Sequence, residues 1–188
     1  MSHGAILRIT LTLLGFGAPS CGSHADRDGQ GAGGQSRMAE MNDDGFWRLI
    51  SLFDWDKTGD DSAVVAPVVA ALSKLTEDEI VGFDETLAKK LFALDGEAYA
   101  RNIGEGAYTG RDDFFSVDGF LYSRCAVVAN GRDYFESVLI NAAAMPKDLE
   151  FEPLLYVAAD AYTLKTGKEF SFSTETSYET FSNRSGWK

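Results

Sequence analysis

Histidine is almost missing from this chain: of 188 residues only His3 and His24 are of that type. From Ala39 onward there is none, which removes Ser–His and Cys–His nucleophile pairs and imidazole metal sites from most of the molecule. Cysteine is nearly as scarce, with Cys21 near the N-terminus and Cys125 well inside the chain. One thiol in the folded portion cannot close an internal disulfide, which suits a reducing, cytoplasmic setting. Cys125 lies in the apolar stretch "YSRCAVVA" and reads as a small buried hydrophobe rather than a nucleophile. Basic residues are in deficit, 17 against 29 acidic, for a formal net charge of −12. From residue 38 onward 14 bases face 27 acids. Such a field repels phosphate backbones and anionic lipid heads, and it attracts basic proteins. Long apolar runs are absent too: none reaches the roughly 18 residues that a transmembrane span requires.

What is present suits one ordinary domain, with 45% hydrophobic residues to fill a core. Three regions are expected: a leader or linker over residues 1–37, a helical domain over 38–168 and a polar tail over 169–188. The leader "MSHGAILRITLTLLGFGAPSC" has two readings. It is sequence upstream of a start at Met38 or Met41, or an export signal with Cys21 as a lipidation site.

The domain reads as all-α, a compact bundle of about six or seven helices with a short extended C-terminal tail. Asp43 or Asp44 offers an N-cap for a first helix carrying Phe46, Leu49, Ile50 and Phe53 at helical spacing. A second helix starts after Asp60 and Asp61 and contains Pro67 as a kink or late first-turn residue. "TEDE" over residues 76–79 is a capping-box pattern, Thr76 with Glu79, opening a third helix whose stripe is Ile80, Phe83, Leu87, Leu91 and Leu94. "GEAYARNI" forms a fourth. Asp118 caps a fifth that ends at Asn130 and Gly131. A sixth covers about 132–144, with Phe135, Val138, Leu139 and Ala142 inward. The seventh, about 150–166, is apolar nearly all round, so it should be central or face a partner, and Gly167 stops it. In the tail, Phe170 and Phe172 alternate with serines as an extended piece, and the rest reads as polar and loose.

Three motifs bear on chemistry. "DWDKTGDDSAVV" places Asp54, Asp56, Thr58 and Asp60 along a calcium-type loop, but the twelfth position, which must supply a bidentate carboxylate, is Val65. It reads as a turn with caps, and no metal or cofactor is expected. "GEGAYTG" over 104–110 mimics a dinucleotide fingerprint with the last glycine one residue too far and no preceding strand. It reads instead as a flexible connection at the lip of a groove. Arg124 is the sharpest single signal. It falls inside the apolar stripe of Phe120, Leu121, Val127 and Val128, so it must snorkel out or meet a carboxylate, with Asp84 as the candidate partner. The functional alternative makes Arg124 and Arg132 an anion clamp, with Asp118 at the head of the same helix as a further candidate. No pair of carboxylates is singled out as a catalytic dyad.

Several stretches together resemble a bacterial family known as domain of unknown function 4240. They are "FWRLI" near the first helix, "DGFLYSRCAVVANGRDYFESVL" from Asp118 to Leu139, and "FEPLLYVAADAYTLKTG" at the last helix. Arg124, Gly131 and Arg132 match that pattern residue by residue, while Ser123 and Ala126 stand where the family has aromatics. The resemblance implies a small, mainly helical domain and no activity. The nearly all-round apolar last helix and the negative charge give the expectation for function, a non-enzymatic, acidic module that binds another protein, one with a basic surface. The alternative is a small-ligand binder or carboxylate-based enzyme centred on Arg124.

Overall fold

Side-chain caps set where four of the helices begin. The computed structural model describes residues 40–110 and 114–187; the expectations attached to the leader and its start site lie outside the described residues. Seven α-helices occur, with no strand among the described residues: α1 Asp43–Ile50, α2 Asp61–Leu72, α3 Glu77–Ala93, α4 Glu97–Ala100, α5 Val117–Ala129, α6 Arg132–Ile140 and α7 Val157–Thr166. None of them is long and apolar enough to cross a membrane. Short 3-10 turns lie at Trp55–Lys57, Ala142–Ala144 and Glu152–Tyr156.

The capping box at α3 forms as expected: Thr76 Oγ1 accepts from the Glu79 N–H, and Glu79 Oε2 accepts from the Thr76 N–H. Asp60 caps α2 by accepting from the Ala63 N–H. Two caps differ from expectation. Asn42, not Asp43 or Asp44, caps α1 by accepting from the Gly45 N–H, and Ser116, not Asp118, caps α5 through the Gly119 N–H. In both cases a neutral side chain sits at the cap and the aspartates move into the first turn, where they still face the positive end of the helix. Pro67 lies inside α2, past its first turn and on its exposed face.

The expected stripe of α3 is buried in full. Helix α3 packs on α1, α5 and α7, and α2 packs on α7. The helix covered on nearly all sides is α5: nine of its thirteen residues are buried, from Phe120 to Ala129 with Tyr122 as the exception. This corrects the expectation for the last helix. The segment begins as a 3-10 turn, and α7 buries only one face, Val157, Ala158, Ala161 and Tyr162, while Leu164 stays exposed. Asp160, Thr163 and Lys165 break the apolar surface into a stripe, so the helix lies at the edge of the bundle. Helix α6 is also shorter than expected and leaves Leu139 exposed.

The tail is not loose. Gly167 ends α7 in the left-handed conformation, φ 71°. Phe170 and Phe172, two apart in the extended piece, both set their rings against Tyr162, at 5.4 and 5.6 Å between centroids. Residues 175–187 then cross the seam of α3 and α5 as a strap.

Candidate functional site

Three charged side chains are fully buried beneath the strap: Glu85 of α3, Asp95 just past its end, and Arg124 of α5. Each takes most of its partners from the strap. Glu85 accepts from the Glu175 N–H (2.7 Å) and the Thr176 hydroxyl (2.8 Å). Arg124 Nη1 donates to the carbonyls of Tyr178 (3.0 Å) and Leu91 (2.9 Å), and Nη2 donates to Thr180 Oγ1 (3.0 Å). Asp95 accepts from the backbone N–H groups of Phe181 (3.1 Å) and Asn183 (2.8 Å) and from the Trp187 indole (2.8 Å). The order along the strap matches the order along α3, so the strap runs in the same direction as that helix. From Glu85 to the end of α3 at Ala93 the helix advances about 12 Å.

Arg124 neither snorkels out nor meets a carboxylate directly. Neutral acceptors satisfy most of its donors, its ring-facing side lies 4.8 Å from the Phe120 centroid, and Nε is buried with no partner among the described residues. Burial draws its pKa down, with Asp95 the largest opposing influence. The Leu91 carbonyl belongs to the last turn of α3, where a cation also complements the helix dipole.

The other residues singled out by sequence are not gathered at Arg124. Asp84 makes no ion pair with it. The Asp84 carboxyl is largely buried on α3, and burial, then the neighbouring Glu85 charge, push its pKa up to about 6. Arg132 lies at the start of α6 and reaches α1, pairing with Asp44 (2.7 Å) and more distantly with Asp43 (3.8 Å). Asp118 is exposed in the first turn of α5. In the calcium-like loop, Asp54 leads into the Trp55–Lys57 turn, Asp56 is exposed in it, the Thr58 hydroxyl donates to the Trp55 carbonyl and Asp60 caps α2. No cluster of three or more metal-type ligands exists among the described residues. Cys125 is fully buried, and burial pushes its thiol up to about 12.

On the opposite side of α5 the chain forms an open groove of about 1200 Å³. Tyr122 points there because it lies two residues from both Phe120 and Arg124, about 200° away on the helix. Trp55 and the two residues Thr58 and Gly59, α2 as far as Val69, Glu105, the 148–156 segment and Asp160 supply the rest. Its floor is aromatic and aliphatic: Trp55 and Phe151 rings meet at 5.3 Å, beside Val65 and Val69. Six carboxylates line it, Asp61, Glu105, Asp148, Glu150, Glu152 and Asp160, with no lysine or arginine among the lining residues. None of the six belongs to an ion pair among the described residues. Glu152 accepts from the Tyr156 hydroxyl (2.7 Å). Burial and then the Glu152 charge hold the Glu150 carboxyl above its usual range. Asp148, in the left-handed region at φ 57°, accepts from the Glu105 N–H (2.6 Å) and stitches the two segments of the lip together. Sequence placed the 104–110 stretch at a groove but missed the groove's other walls, which come from separate segments sharing no spacing.

Comparison with curated proteins and with solved structures gives no match. The family model described as a protein of unknown function (DUF4240) matches residues 41–164. That span covers all the helices through most of α7, the aromatic and acidic groove, and Glu85, Asp95 and Arg124, but not the strap. This chain belongs to the DUF4240 family.

Proposed function

We propose that this protein is a binding module whose acidic groove takes an extended basic segment of a partner protein. One observation carries the reading: six unpaired carboxylates ring an aromatic and aliphatic floor, and no basic side chain lines the groove to neutralise them. The chemistry that fits is a string of lysine or arginine side chains. Their aliphatic stems would lie on Val65, Val69 and Phe151, and their cationic heads on the faces of Trp55, Tyr122 and Tyr156 beside Glu152. The carboxylates are spread along the walls rather than converging on a point, which favours an elongated organic cation over a single metal ion. The net charge of −12 would also speed encounter with such a partner.

The test is a calorimetric titration with a lysine- and arginine-rich peptide, with a glutamate-rich peptide of equal length as control. Binding of the basic peptide alone, weakening as salt rises and lost in a Glu150→Gln, Glu152→Gln double variant, is the expected result. Equal binding of both peptides, or basic-peptide binding untouched by the double variant, would overturn the assignment to this groove.

A further inference from the structure

We infer that the trough on the other side of α5, built from Glu85, Asp95 and Arg124, is a second peptide-binding site, and that residues 175–187 are its ligand, bound in cis. The bonding pattern is that of a peptide receptor, with half of its bonds made to main chain. Two buried carboxylates accept backbone N–H groups, at Glu175 for one and at Phe181 and Asn183 for the other, and a buried guanidinium donates to a backbone carbonyl between them. The side chains of Thr176, Thr180, Ser182 and Trp187 add bonds of their own, so the trough reads both the backbone course and the side chains of a turn-containing segment.

Specificity comes at the end of the strap. The Trp187 ring inserts against Phe115, Phe120 and Tyr108, at 6.1, 5.8 and 5.4 Å between centroids, and its N–H is held by Asp95. Gly186 passes so close to the Asp95 carbonyl that a Cβ there would come to 2.5 Å from it. Its own carbonyl accepts from the Glu97 N–H at the start of α4. The ligand class is therefore a peptide with tight turns that carries a glycine–tryptophan pair.

Two further observations separate the strap from the body that holds it. The trough residues fall within the family match, and the strap lies wholly outside it. The strap also carries strain imposed by its seat: Phe181 sits at φ 74°, a left-handed conformation that an aromatic residue avoids unless held there. A ligand tethered by the few residues after Gly167 has an effective concentration on the order of millimolar, so it masks the trough from competitors in solution.

The experiment uses the full chain with a protease recognition sequence inserted between Lys168 and Glu169, both exposed. After cleavage, a fluorescent synthetic peptide of residues 169–188 is added. The released tail is expected to stay with the body through gel filtration and to exchange for the labelled peptide. Uncleaved protein should take up the label at least about 100-fold more weakly. Peptides carrying Gly186→Ala or Trp187→Ala should bind at least tenfold more weakly than the native peptide, on the order of 1.4 kcal/mol or more. Because these changes are in the peptide, they leave the body intact. Failure of the native peptide to enter the cleaved protein would overturn the inference. So would equal binding of the two altered peptides, or loss of helical circular dichroism when the tail departs. Displacement of the labelled peptide by the lysine- and arginine-rich peptide would also overturn it, since the two sites would then be one. Independence from that peptide leaves the groove assignment to its own test.

Discussion

The two sides of α5 handle charge in opposite ways. On the strap side Glu85, Asp95 and Arg124 are buried, and nearly every polar atom has a partner supplied by residues 175–187. On the groove side the carboxylates stand around Tyr122 and Phe151 without cations. A satisfied buried charge holds structure together, because removing its counterpart leaves an uncompensated group in a low dielectric. A row of unpaired, solvent-facing charges does the reverse: its members repel one another and hold free energy that an incoming cation can release. The same residue types thus serve cohesion on one face and stand free on the other, where the proposed function uses them for recognition, and solvent access decides which.

The sharpest way to break that contrast is to remove a buried anchor. Asp95→Ala strands the N–H groups of Phe181 and Asn183 and the Trp187 indole. It should cost on the order of 3–5 kcal/mol in urea unfolding, with Trp187 fluorescence shifting toward that of an exposed indole. A cost under about 1 kcal/mol would mean that the strap contributes little to stability.

Asp84 tests the same side by pH. Its folded pKa of about 6 lies above the ordinary 3.8. Between those values the folded state holds the proton more tightly than the unfolded chain, so stability falls as pH rises from about 4 to about 6 and stays lower above. Glu85, the adjacent buried carboxylate, and Tyr178 of the strap face it. Asp84→Asn removes the ionisation and should raise stability at pH 7.5 by roughly 2–3 kcal/mol, with little change at pH 3.5. A gain equal at both pH values would place its origin outside ionisation.

On the groove side neutralisation should be harmless to the fold. The Glu150→Gln, Glu152→Gln double variant keeps an acceptor for the Tyr156 hydroxyl and relieves repulsion. Its unfolding free energy should change by no more than about 0.5 kcal/mol, while its affinity for the basic peptide falls at least about tenfold. A stability loss as large as that of Asp95→Ala would erase the difference between the two faces. The smallest effect belongs to Arg132→Ala, whose partners Asp43 and Asp44 are well exposed. The denaturation midpoint should not move measurably.

Much of the fold was legible because local rules carry it. The capping box at Thr76, the five-residue stripe of α3 and the stops at Asn130 and Gly167 depend on residues within a few positions of one another. The place of Arg124 inside an apolar stripe was legible for the same reason, since its position on the wheel of α5 is a local fact, but the side chain neither snorkels out nor meets a carboxylate as expected. Its partners were not legible. Tyr178 and Thr180 are 54 and 56 residues away, in a tail whose polar composition reads as solvated chain. Serine, threonine and backbone groups look alike whether they bond water or a buried guanidinium. Local preference also failed at the caps of α1 and α5, where Asn42 and Ser116 took the positions that aspartates one or two residues later would equally have suited.

Helix number, the apolar stripes, the lack of imidazole chemistry and the acidic balance were determined by the sequence alone, since each is a matter of residue type and short-range spacing. Only the tertiary structure decided which charges are buried and which are free. Glu85, Asp95 and Arg124 become anchors because α3, α5 and the strap converge on them, and the groove carboxylates become a single field because segments far apart in the chain meet beside Tyr122. Burial and electrostatic coupling depend on distance through space, which a linear order of residues does not contain.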